Sequence, residues 1–125
     1  MNFSLSQKVA LVTGSSRGLG YGVARAVGKA GAKVVLNYLN DRETAERASE
    51  SLKAEGINTM LVRADASDPD QIASLVEAVE EKFGSLDILV PNATPDQPQK
   101  AIEEYDAEFY RQMYDFFVMS PFYLT

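Results

Sequence analysis

The residues best placed to do chemistry in this 125-residue chain lie in the run Thr13-Gly14-Ser15-Ser16-Arg17-Gly18-Leu19-Gly20. Glycines at Gly14, Gly18 and Gly20 allow a tight turn and the close approach of a ligand to bare backbone, where a Cβ would block both. A helix that opens at the end of such a turn has first amides without intrahelical partners, and its dipole favours negative charge there. The chemistry that suits main-chain N–H groups displayed in this way is a diphosphate. Two further polar positions end apolar runs: Asp65-Ala66, shortly after Met60-Leu61-Val62, and Asn92-Ala93, after Ile88-Leu89-Val90. Histidine and cysteine are both absent. The commonest general base, the commonest metal ligand and all thiol chemistry are therefore excluded, and no metal site is expected.

The elements that must hold these residues alternate along the whole chain. Val9 to Thr13 reads as a buried strand, and Gly18 to Lys29 as a helix packed through Leu19, Val23, Ala26 and Val27. Lys33 to Tyr38 supplies a second strand, placing Asn37 and Tyr38 at its end. Asn40 then reads as an N-cap, with Glu43 completing a capping box, for a helix that runs to about Glu55 and stops at Gly56. A third strand covers Thr59 to Arg63. Asp68 caps the next helix, with Pro69 at its first position, Gln71 closing the box, and Ile72, Leu75, Val76 and Val79 as the buried stripe. Phe83-Gly84 ends it, and Asp87 to Val90 is the fourth strand. A polar loop from Pro91 to Lys100 leads to a last helix, capped by Asp106 and reaching Ser120 or beyond, with a kink at Pro121.

Four strands, each followed by a helix, imply a single α/β domain over residues 1–125 with a parallel sheet covered on both faces. Right-handed crossovers give the strand order 3-2-1-4, a doubly wound sheet. The ligand crevice should lie beyond the carboxyl ends of strands one and four, where the winding reverses. Gly14 to Gly20, Tyr38, Asp65 and Asn92 all fall at those ends.

Bulk properties narrow the function classes. A net charge of −6 and a pI near 4.6 argue against nucleic-acid binding, which needs a basic surface. No apolar run approaches the ~20 residues needed to span a bilayer. The opening Met1 to Lys8 lacks a charged segment followed by an apolar block, so no signal peptide and a cytoplasmic location are expected. At 46% hydrophobic residues the chain has enough apolar material for one core.

The pattern Thr-Gly-x-x-x-Gly-x-Gly, with Asp65 and Asn92-Ala93 downstream, resembles the short-chain dehydrogenase/reductase family. The resemblance runs from the first strand to the last residue. It implies a Rossmann-like fold, an oxidoreductase, and a nicotinamide dinucleotide held by Gly14, Ser15, Ser16, Arg17, Gly18, Leu19, Gly20, Asn37, Tyr38, Asp65, Ala66, Asn92 and Ala93. It further implies that Asp65 accepts from the adenine amino group, and that Thr13 bonds across to the Asn92 segment. The second strand ends without an acid before Asp41, while Arg17 sits inside the glycine loop and Arg42 follows the strand. An acid there would favour a free 2′-hydroxyl, so the expected cofactor is NADP(H), with NAD(H) less favoured.

The chain departs from the family pattern toward its end. Pro91 stands where the family has its first asparagine, and Thr94 where it has a glycine that passes close to the nicotinamide ribose. Phe117 occupies the position of a family asparagine that holds a proton relay, and phenylalanine has no hydrogen-bonding group. The family's general acid is a tyrosine tuned by a lysine four residues on, and no Tyr-x-x-x-Lys occurs here. The resemblance therefore covers the N-terminal half of a member, truncated before the fifth strand, with no catalytic residue of its own. Phe109, Tyr110, Met113, Tyr114, Phe116, Phe117, Met119, Phe122 and Tyr123 are too many apolar residues for a helix with one buried face. A homodimer through that helix is expected. Three functional readings stay open: the dinucleotide-binding part of an oxidoreductase; a natural or engineered half-domain that folds and self-associates without activity; and a module that recruits a protein partner through its aromatic helix.

Overall fold

Four apolar runs form the parallel sheet at the centre of the computed structural model, which describes residues 3–95 and 99–125. β1 (Val9–Val12) lies between β2 (Lys33–Tyr38) and β4 (Ile88–Val90), with β3 (Thr59–Arg63) outside β2. The order is 3-2-1-4 and every pairing is parallel, as the crossovers require. Leu11 sits opposite Val35 on one side and Leu89 on the other. Strands covered on both faces are apolar at consecutive positions, and Val9 to Val12 and Val34 to Leu36 are all buried.

One face carries α1 (Gly18–Lys29) and α2 (Arg42–Ala54), whose Ala24, Ala48 and Leu52 pack with Val12, Val34, Leu36 and Ile57. The other carries α3 (Pro69–Phe83), whose Ile72, Leu75 and Val79 meet Val9, Leu11 and Val35. The α1 contact follows the sequence expectation at Val23 and Val27, which pack on the core, and differs at the other two positions. Leu19 is 78% exposed and Ala26 also faces solvent, while the buried residues are Gly20, Ala24 and Gly28. Small residues at i, i+4 and i+8 let the helix lie close to the sheet. A Cβ on Gly28 would stand only 2.6 Å from Ile57 Cγ2.

Two caps also differ in detail. Asp41, not Asn40, caps α2: Thr44 N donates to its Oδ1 at 3.0 Å and Thr44 Oγ1 to its Oδ2 at 2.7 Å. Asp68 caps α3 by accepting from Asp70 N at 2.9 Å, with Pro69 in the first turn as expected. Gln71 closes no box onto the Asp68 backbone. Its Nε2 donates to Asp68 Oδ2 at 2.9 Å, and its Oε1 accepts from Asp65 N at 2.8 Å, tying the end of β3 to α3.

The last helix starts at the Asp106 cap and runs past Ser120 as expected, but a π turn interrupts its winding in place of a kink at Pro121. A 3₁₀ turn (Ile102–Glu104) precedes α4 (Ala107–Tyr114), capped by Asp106, which accepts from Phe109 N at 2.9 Å. A π turn over Asp115–Met119 then leads into α5 (Ser120–Leu124). The change of winding lies ahead of Pro121, and the backbone stays right-handed helical from the π turn into α5. α5 lies against α3, and Leu124 completes the core on that face. α4 buries none of its residues, and Tyr110, Tyr114, Phe117, Val118 and Phe122 are each at least half exposed. β4 pairs with β1 and with no other described strand. Residues 96–98 of the expected polar loop lie outside the described residues.

Candidate functional site

A groove of about 710 Å³ opens beyond the carboxyl ends of the strands, at the point where the winding of the sheet reverses. Gly14, Ser16, Arg17, Asn37, Tyr38, Asp65, Ala66, Asn92 and Ala93 all line it, so residues from four separate loops meet as the sequence pattern anticipates. Leu39, Asn40, Asp41, Ala64, Thr94, Pro95 and Phe116 complete the lining. The remaining candidates are adjacent but do not face it. Ser15 is fully buried behind the turn, and Gly18, Leu19 and Gly20 form the opening turn of α1. The Leu19 side chain points to solvent, so only its main chain is available to a ligand there.

The opening of α1 is chemically distinct from those of its neighbours. α2, α3 and α4 are each capped by an aspartate that accepts a backbone amide. α1 has Arg17 at its cap, no side-chain cap bond and no acid in its first turn. Among the described residues the amides of Gly18, Leu19 and Gly20 have no acceptor within the protein. Gly14 and Gly18 hold φ of +60° and +62°, left-handed values that side chains disfavour. Nothing stands within 4 Å of a Cβ placed on Gly18, so its neighbourhood is open to an approaching group. Gly20 is constrained by contact instead: a Cβ there would strike Asn92 Nδ2 and lie 2.7 Å from Gly14 O.

A polar frame fixes this turn against its neighbours. Asn37 is 2% exposed, and its side chain is committed: Oδ1 accepts from Gly14 N at 3.0 Å, while Nδ2 donates to Val62 O at 3.3 Å and Ala64 O at 3.1 Å. One amide side chain of β2 therefore joins the turn after β1 to the end of β3. On the other side, Thr13 Oγ1 accepts from Asn92 N at 2.9 Å and from Ala93 N at 3.0 Å. Asn92 Nδ2 returns two bonds, to Thr13 O at 3.1 Å and Gly14 O at 3.0 Å. Asn37 and Asn92 thus organise the groove with their side chains and show it mainly backbone. No buried side-chain polar atom among the described residues lacks a partner.

Charge is concentrated at the end of the groove nearest β2. Arg17 Nη1 lies 3.9 Å from Asp41 Oδ2, and both side chains are solvent-accessible. The Thr44 hydroxyl, then the Thr44 amide, hold the Asp41 carboxyl below its usual range, with Arg17 adding to the effect. Asp65 uses one oxygen internally: Oδ1 accepts from Ser67 N at 2.9 Å and Ser67 Oγ at 2.6 Å. Its Oδ2 has no hydrogen bond within the protein among the described residues. Arg42 is turned away from the groove onto Glu46, at 2.7 Å. Among the described residues no group of acidic side chains could hold a metal ion, and no helix is long and apolar enough to cross a membrane.

Sequence reasoning missed two residues of consequence. Asp41 enters the groove because it, rather than Asn40, caps α2, and its place three residues before Thr44 was the available signal. Phe116 enters from the π turn, whereas Phe117 lines a separate apolar surface depression with Ile102, Tyr105, Phe109 and Met113. No local pattern distinguishes those two neighbouring phenylalanines.

A doubly wound parallel sheet with a glycine turn and an uncapped helix at its switch point defines a Rossmann-type α/β domain. The chain belongs to the short chain dehydrogenase family, whose model matches residues 8–125. It is 47% identical over 92 residues to a versicolorin reductase of Emericella nidulans, covering 74% of this chain and 35% of that protein. With an uncharacterized oxidoreductase of Methylorubrum extorquens the identity is 40% over 121 residues, covering 97% and 48% respectively. The L-sorbose reductase of Gluconobacter frateurii, complexed with NADPH and L-sorbose, superimposes with a TM-score of 0.90 at 34% identity, over 99% of this chain and 47% of that one. A short chain dehydrogenase from Burkholderia cenocepacia in complex with NADP gives 0.88 at 31% identity, over 96% and 49%. The chain thus spans about half or less of the length of the relatives it matches.

Proposed function

We propose that this chain is the dinucleotide-binding portion of an NADP(H)-dependent oxidoreductase. The observation that carries the reading is the uncapped opening of α1, whose free amides adjoin the glycine turn that lines a groove of about 710 Å³. The turn fits a diphosphate, because the space beside Gly18 is open, while Gly14 and Gly20 let the turn close against Ala93 and Asn92. Gly18, Leu19 and Gly20 would hold the diphosphate through their amides, with Gly14, Ser15 and Ser16 shaping the turn. Asp65 Oδ2 would accept from the adenine amino group, beside Ala66, and Tyr38 would border the adenosine. Asn37, Asn92 and Ala93 would hold the frame on either side. Arg17 would face a 2′-phosphate, and NADP or NADPH in complexes of structural relatives supports that preference.

Bound nicotinamide supplies the hydride chemistry, and this chain's residues bind and orient it. Proton delivery to a substrate requires groups outside these residues, since no tyrosine here is followed by a lysine four positions on. Titration calorimetry with NADPH and NADH tests the reading, together with melting temperature, which a ligand bound to the folded state raises. Gly18→Asp tolerates the left-handed conformation and sets a carboxylate against the diphosphate, so it should abolish the rise. A wild-type protein that ignores both dinucleotides at millimolar concentration overturns the proposal.

A second reading rests on the α4–α5 surface, where Tyr110, Tyr114, Phe117, Val118 and Phe122 form an exposed apolar patch. We propose that two copies associate through it, since such patches mark interaction surfaces. Sedimentation at micromolar concentration should show a dimer that Phe117→Lys with Phe122→Lys converts to a monomer; a wild-type monomer rules it out.

A further inference from the structure

We propose that Phe116 is the specificity-determining wall for the nicotinamide half of the dinucleotide, a role that rests on the cofactor reading above. Tyr38, Asp41 and Asp65 follow β2 and β3, with Arg17 3.9 Å from Asp41, whereas Asn92, Ala93, Thr94 and Pro95 follow β4, and Phe116 lines the same groove from the π turn. With the diphosphate at the opening of α1 beneath β1, an extended dinucleotide must run its adenosine toward β3 and its other half toward β4. Three donors near β4 are spent within the protein. Both Asn92 Nδ2 bonds go to backbone carbonyls of the turn, and the Asn92 and Ala93 amides go to Thr13 Oγ1.

Beside Asn92 and Thr94, the groove gains apolar surface from Ala93, Pro95 and the half-buried Phe116 ring. That ring is delivered by the π turn Asp115–Met119, a rare geometry in which i→i+5 bonding alters which side chain faces inward. Its neighbour Phe117 is 51% exposed and lines the depression on the outer surface of α4. Two adjacent phenylalanines thus face different cavities, which makes Phe117 the internal control. A planar, weakly hydrated pyridine ring and its ribose are the part of the cofactor that gains from an aromatic wall.

The test is calorimetric titration of wild type, Phe116→Ala, Phe116→Leu and Phe117→Ala with NADPH and with adenosine 2′,5′-bisphosphate, which lacks the nicotinamide half. Phe116→Ala should weaken NADPH binding roughly tenfold and leave the bisphosphate unchanged within about twofold. Phe116→Leu, which keeps apolar volume and protects the fold, should lose less NADPH affinity than Phe116→Ala, and Phe117→Ala should alter neither ligand. Equal losses for both ligands, or no loss for either in both Phe116 variants, overturn the assignment while leaving the cofactor reading intact. Failure of wild type to bind either ligand overturns both.

Discussion

Ser15 and Asn37 exchange two hydrogen bonds: Ser15 N donates to Asn37 O at 2.9 Å, and Asn37 N donates to Ser15 Oγ at 3.0 Å. Both residues are buried, so this reciprocal pair locks the turn after β1 directly to the last part of β2. The buried Ser15 holds the groove's floor in place from behind. Ser15→Ala strands a buried Asn37 amide, a loss of about 1–3 kcal/mol in unfolding free energy. Urea denaturation should show a lower midpoint with an unchanged slope.

Gly20 and Gly22 lie two positions apart on α1 and predict opposite outcomes. A Cβ on Gly20 would meet Asn92 Nδ2, Gly14 O and Ser15 Cα, so Gly20→Ala forces α1 away from the frame and destabilises by about 1–3 kcal/mol. Gly22 is exposed, with nothing within 4 Å of such a Cβ, and Gly22→Ala should stabilise by roughly 0.5–1 kcal/mol. Thermal melts of the two variants side by side check the sign of each.

The Arg17–Asp41 separation of 3.9 Å predicts how cofactor choice shifts. Arg17→Leu should lower NADPH affinity roughly tenfold and leave NADH nearly unchanged, because only the former carries a 2′-phosphate for the guanidinium to meet. Asp41→Asn keeps an oxygen for the Thr44 amide and removes a negative charge, so NADPH should bind more tightly. The gain should shrink with added salt, since the charges are exposed. Isothermal titration at two ionic strengths measures both effects.

Four carboxylates set the acid side of the stability profile. Asp87 is held low chiefly by the Val9 amide, which donates to Oδ2 at 2.9 Å, and then by the Ser85 hydroxyl. The Gln71 side chain leads for Asp68, the Thr44 hydroxyl for Asp41, and Arg25 for Glu55. Each folded-state value lies below the unfolded one, near 4. Their contribution is therefore fully present above about pH 4 to 5 and disappears as the pH falls through the lowered folded values. Melting temperature should be flat toward neutrality and drop steeply below about pH 4. Asp87→Asn should lower the neutral plateau and make the acid limb shallower.

Much of the architecture was legible before any coordinates, because it rests on local signals. Consecutive apolar residues in Val9–Val12 and Val34–Leu36 announce strands covered on both faces, and the Asp68-Pro69 pair announces a helix start. The glycine spacing from Gly14 to Gly20 marks the tight turn between β1 and α1, and the alternation of strand and helix dictates the order 3-2-1-4. These features follow from backbone conformation and periodicity, which a sequence states directly. The tertiary structure alone decided which side chains meet. It turned Leu19 outward, because α1 approaches the sheet on Gly20, Ala24 and Gly28. It sank Asn37 between the turn after β1 and the end of β3, brought Asp41 beside Arg17 through the cap of α2, and chose Phe116 over Phe117 through a π turn. Each of these depends on contacts between residues far apart in the chain, or on the winding of one helical turn, and neither is written in the propensity of the residues themselves.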